Sequence, residues 1–114
     1  MPPKRNPLQL NALQLKTLTL LQELARLPDF SGPADEAGEV AIAGLPQPYG
    51  DHFHLGDAVV ASRDASGLRN PSVWAALERK GLVRSLAKGG AALTPLGRDQ
   101  PTGLRAAILH KPAD

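Results

Sequence analysis

The stretch from Asn70 to Arg98, NPSVWAALERKGLVRSLAKGGAALTPLGR, decides the reading of this chain. Asn70 is a good helix N-cap, and Pro71 suits the first helical position, where its missing N–H costs nothing. Val73, Trp74, Ala76 and Leu77 follow at helical spacing. Gly81 stops the helix, because a left-handed terminal residue is cheap only without a side chain. Arg79 and Lys80 lie in the last turn, where the helix dipole favours cations. Leu82 to Ala87 reads as a strand, Lys88-Gly89-Gly90 as a tight turn, and Ala91 to Leu93 as the returning strand. Thr94-Pro95 opens a short helical turn through Arg98.

Helix, LERKGLV, glycine turn and ALTPLGR together resemble the second half of a winged helix-turn-helix domain, as in MarR-like and related bacterial transcription regulators. The likeness covers the last third of the chain closely and the remainder by element order. It implies an α+β fold: a three-helix core with a C-terminal β-hairpin wing. In this chain an extra short hairpin would precede the second helix. The implied limits are a flexible N-terminal arm at 1–10, a winged-helix domain at 11–98, and an extension at 99–114 holding a short helix. The resemblance also implies a cytoplasmic DNA-binding regulator acting as a homodimer.

Upstream, Asn11 caps a first helix, with Gln14 reaching back as its capping-box partner. Leu13, Leu20, Leu24 and Leu27 make one stripe around Thr17, Leu21 widens it, and Pro28 ends the helix. Leu15 and Leu18 fall on the other side, so the helix is either central in the core or shared with a second subunit. Asp29 to Gly38 reads as a loop. Val40–Ala43 and His52–Leu55 read as two strands flanking a proline-stiffened loop. Asp57 to Arg63 reads as a short helix with Val59 and Val60 inward, followed by a turn at Gly67 with Leu68 as anchor. Pro71 can only begin a helix, so the recognition helix is stubby. Thr102 is placed to cap a last helix with Leu104, Ile108 and Leu109 apolar, leaving Arg105, His110 and Lys111 toward solvent.

Composition narrows the classes. The 114 residues suffice for one domain with a core, and 42% are apolar. Only 4% are aromatic, so that core is built from Leu, Val and Ala. The chain has no cysteine, which removes disulfides, thiolate zinc sites and cysteine nucleophiles. No apolar run reaches membrane-spanning length and no signal-peptide pattern follows Lys4-Arg5, so the cytoplasm is the expected compartment and no membrane partner is expected. The net charge of +2 is uneven. Residues 29–57 carry six acidic residues and no Lys or Arg, whereas residues 58–114 carry nine basic and four acidic ones. The molecule is two-sided, and its basic half is the one with the recognition-helix and wing resemblance.

That half supplies the candidate DNA contacts: Arg63, Arg69, Asn70, Ser72, Arg84 and Lys88. Helix N-termini offer N–H groups to phosphate, and Arg69, Asn70 and Ser72 gather at one. Arg and Asn side chains match guanine and adenine edges. Arg84 at the base of the wing and Lys88 at its tip suit backbone phosphates. A protein-interaction module that uses the acidic strand segment and leaves DNA alone is the alternative. No GxSxG, HExxH or Walker-type loop occurs, so no enzyme activity, catalytic residue or cofactor is assigned. His52 and His54 share one face of a strand beside Asp51 and would supply part of a metal site. Third and fourth ligands are not identifiable, so we read an exposed polar face over buried Phe53 and Leu55 and assign no metal.

Overall fold

Helix α1, Ala12–Leu24, is the axis of the molecule. In the computed structural model, which describes residues 9–34, 36–87 and 90–110, it starts at the expected capping box. Asn11 Oδ1 accepts from Gln14 N at 2.8 Å, and Asn11 N donates to Gln14 Oε1 at 3.0 Å. Thr17, Leu18, Thr19, Leu20, Leu21 and Leu24 are all buried, so α1 is enclosed by its own chain on most sides. The two buried threonines satisfy their hydroxyls by donating back to Leu13 O and Leu15 O, at 2.8 and 2.7 Å. The helix gives way to turns at Ala25, before Pro28 is reached. Leu10, at the edge of the expected N-terminal arm, is buried in the core.

The expected ribbon is present. β5 (Val83–Ser85) pairs antiparallel with β6 (Ala91–Leu93), with Val83 opposite Leu93. Two further strands extend it into a four-stranded antiparallel sheet of order β1-β2-β6-β5. These are β1 (Ser31–Pro33), inside the segment read as a loop, and β2 (Val40–Ile42). Both outer edges are blunted against further pairing. β1 carries Pro33, and on β5 the Glu78 carboxylate accepts from Ser85 N at 3.1 Å and Ser85 Oγ at 3.0 Å.

Two expectations are corrected here. Val40–Ala43 and His52–Leu55 do not pair with each other: β2 lies between β1 and β6, while β3 (His52–Leu55) pairs with β4 (Ala58–Ala61). The hairpin before the second helix exists, but it is β3–β4 around a two-residue Gly56-Asp57 turn. Consequently the segment expected as a helix from Asp57 to Arg63 is a turn and strand as far as Ala61, and only Ser62 and Arg63 are helical. Its apolar residues alternate rather than repeat at helical spacing: Ala58 and Val60 are buried, Val59 and Ala61 half-buried. β-Branched valines on a half-buried strand fit that pattern.

A 3-10 helix, Ser62–Arg69, follows, then α2 (Pro71–Arg79), capped by Asn70 as expected. Gly81 takes the left-handed conformation at φ +78°. Thr94 caps α3 (Pro95–Asp99), where Thr94 Oγ1 accepts from Gly97 N at 3.1 Å. Thr102 does not cap the last helix, α4 (Arg105–Ile108). Its hydroxyl instead accepts from Leu104 N at 3.3 Å and meets Thr19 Oγ1 at 2.6 Å. Arg105 pairs with the largely buried Glu23, and His110 bridges to Val59 of β4. The described residues thus form a compact α+β domain around α1, with two antiparallel sheets.

Trp74 ties α2 to the 3-10 helix. Its Nε1 donates to Leu68 O at 2.8 Å. Trp74→Phe keeps the apolar contact and leaves that carbonyl without its donor, so we expect a loss of about 1 kcal/mol in urea unfolding. A loss near zero would mean that water replaces the indole.

Candidate nucleic-acid interface

The 3-10 helix orders the cationic residues. Three residues make a turn, so positions 63, 66 and 69 eclipse one another. Arg63, Ser66 and Arg69 are all exposed, while Asp64, Ala65, Gly67 and Leu68 between them are buried. Lys16 Nζ holds Asp64 Oδ1 at 2.9 Å on the inner side. That contact and the seating of Gly67 against Thr17 of α1 set the rotation of the helix, so its two arginines stand outward. Ser72, also exposed, continues the series at the start of α2. Ser66 was absent from the expected set; it becomes legible only when the segment is read at period three rather than 3.6.

Arg69 is partly held: its Nη2 donates to Pro46 O at 3.1 Å, which fixes the guanidinium beside the mouth of a groove. Asn70 works mainly as a cap. Its Oδ1 accepts from Ser72 N at 3.0 Å, and its main-chain O accepts from Val73 N at 3.0 Å and Trp74 N at 3.3 Å. Pro71 has no N–H. The first turn of α2 therefore has its N–H groups occupied, and the expected phosphate cradle of main-chain donors is not formed. The exposed side chains at this end are those of Arg63, Arg69 and Ser72.

Arg84 is committed elsewhere. Its Nε donates to both Glu39 oxygens at 3.1 and 3.0 Å, and its Nη2 to Oε1 at 2.7 Å. Such a two-pronged pair is directional and strong. It ties β5 to the residue before β2 across the intervening β6. The Arg84 hydrogen bonds, and then its charge, hold the Glu39 carboxyl below the ordinary glutamate range, against the opposing effect of burial. A lowered folded value stabilises the domain above the unfolded value of about 4.3. We expect that contribution to vanish as pH falls through the lower folded value, and to be missing at every pH in Arg84→Met. Thermal melts of both chains across the acid range test this; parallel curves would remove the pair as a stabiliser.

Lys88 lies outside the described residues. Arg79 is exposed in the last turn of α2. Between α2 and the ribbon runs an apolar groove that sequence reading missed. It holds about 430 Å³ and is lined by Ile42, Leu45, Leu68, Trp74 and Ala91. The one trace of it in the sequence is the lone tryptophan; the structure leaves Trp74 half-buried, with Gly44 and Gly90 also in the lining.

Among the described residues no group of three or more His, Asp or Glu side chains gathers to hold a metal ion, although His52 and His54 do meet. No helix among them is long and apolar enough to cross a membrane. Compared with known proteins, the chain matches no family model, no curated protein and no solved structure.

Proposed function

We propose that the chain is a winged-helix module that binds duplex DNA, with α2 as recognition helix and the β5–β6 ribbon as wing. Part of the element order supports this reading: after α1 and the four strands β1 to β4 come two successive helical segments, then a hairpin whose returning strand, β6, pairs with β2. The observation that carries it is the exposed file Arg63–Ser66–Arg69 leading to Ser72. Guanidiniums and hydroxyls are the side-chain groups that bind phosphate oxygens. With Arg84 paired to Glu39, contact by this file is the main electrostatic term, and base reading falls to the outward face of α2.

Binding of a short duplex, followed by fluorescence anisotropy across a range of salt, tests the proposal. Each neutralised phosphate contributes about 0.9 to the log–log slope. Arg63→Ala/Arg69→Ala should therefore flatten the slope by nearly two units and weaken low-salt binding by about tenfold or more. Arg84→Met should leave the slope unchanged. An unaltered slope in the double variant removes the file from any interface. A protein partner is the second reading, favoured by the Trp74 groove. It gains if no duplex binds even at low salt.

A further inference from the structure

The β3–β4 hairpin carries an arrangement that DNA binding leaves unused. His52 and His54 lie two residues apart on β3, so both side chains leave the same face. Their Nε2 atoms face each other at 3.2 Å, with ring centroids 4.9 Å apart and planes at 80°. Tyr49 packs on both rings, stacked on His52 at 6.3 Å and edge-on to His54 at 5.8 Å. On the far side of His52, Nδ1 lies 3.4 Å from Asp51 Oδ1.

We propose that His52 and His54 chelate one divalent transition-metal ion of the copper, nickel and zinc class through their facing Nε2 atoms, with solvent filling the remaining positions. Two imidazole nitrogens about 2.0–2.1 Å from one ion at the tetrahedral angle stand roughly 3.3 Å apart, so the observed spacing requires almost no rearrangement. Asp51 supplies what such sites commonly have behind the ligand: a carboxylate that accepts a hydrogen bond from Nδ1–H and so leaves the Nε2 lone pair free for the ion. The hairpin register fixes the base of the pair, with His52 opposite Ala61 and His54 opposite Val59. Imidazole suits copper, nickel and zinc, whereas magnesium and calcium want oxygen. His110 bridges to Val59 from the other side of β4. Among the described residues neither His110 nor any Asp or Glu joins the pair as a third ligand. The site is independent of the nucleic-acid reading.

The test is calorimetric titration of the full chain with copper(II), nickel(II), zinc(II) and magnesium salts, together with zinc titration followed on the histidine ring signals by NMR. We expect one ion per chain, copper bound most tightly, and magnesium not at all. Zinc should move the His52 and His54 ring signals and leave those of His110. His52→Gln and His54→Gln should each weaken zinc binding by at least tenfold, and Asp51→Asn by about tenfold. His110→Gln should bind like the parent chain. Unaltered binding in His52→Gln/His54→Gln, or zinc shifts centred on His110, would overturn the proposal. Asp51, His54 and His110 are exposed and His52 is half-buried, and unchanged circular dichroism of each variant checks that the fold is intact.

Discussion

Gly97→Ala is expected to destabilise the domain by about 3 kcal/mol or more, at the upper end for an overpacked site. Gly97 lies within α3, where alanine is the better helix former by about 1 kcal/mol. Propensity alone therefore predicts stabilisation. The packing predicts the reverse. A Cβ at this position would lie 2.1 Å from Leu82 O, 2.7 Å from Leu93 Cδ1 and 3.0 Å from Leu82 C. The principal obstacle is main chain, and it is pinned: Leu82 O already accepts from Thr94 N at 3.1 Å and Thr94 Oγ1 at 3.1 Å. The Gly97 carbonyl is held in turn by Gln22 Nε2 at 2.8 Å. Urea unfolding decides between the two forces. The midpoint should fall with the slope unchanged; a midpoint that rises would show that α3 does not sit on Leu82.

The second large effect belongs to Gly67→Ala. A Cβ there would meet Thr17 Oγ1 at 1.9 Å, with Leu13 Cδ1 at 3.4 Å. Thr17 is fully buried and its hydroxyl is bonded to Leu13 O, so it has little freedom to yield. We expect a loss of about 2–3 kcal/mol, or on the order of 10 °C in melting temperature. Thr17→Ala removes the obstructing hydroxyl. The double variant Gly67→Ala/Thr17→Ala should therefore be more stable than Gly67→Ala alone, with a coupling energy of about 1 kcal/mol or more. Simple additivity would mean that the clash is not the cause. Because this contact seats the 3-10 helix, Gly67→Ala should also disturb the Arg63–Arg69 file and weaken duplex binding while the chain remains folded.

The parts legible in the sequence are those decided by near neighbours. The capping box at Asn11, the Asn70-Pro71 and Thr94-Pro95 starts, and the ribbon that sets Val83 opposite Leu93 each depend on residues a few positions apart or on one short turn. The hairpin HFHLGDAVVA was equally local, and its Gly-Asp turn between alternating residues was the available signal. A helix over Asp57–Arg63 suits the winged-helix element order but not that alternation. Other features depend on residues remote in the chain. β1 becomes a strand only because β2 lies beside it, already paired to β6. Arg84 looked like a wing cation because nothing nearby in sequence claims it; Glu39, its partner, lies 45 positions away. The expected phosphate cradle at Asn70 failed for a different reason. A good cap consumes the donors that would have greeted the anion.

The central pairing of the larger sheet joins Ile42 to Ala91 and Val40 to Leu93. During synthesis at about 5–20 residues per second, the earlier of those strands must wait roughly 3–10 s for its neighbour to be made. Until then β2 has on that side only solvent or the surfaces of the biosynthetic machinery. The hairpin that completes the sheet therefore acts as a clasp fastened late, and ribosomal pausing between codons 43 and 90 should lengthen the interval in which the nascent chain is vulnerable to capture by chaperones or neighbouring polypeptides.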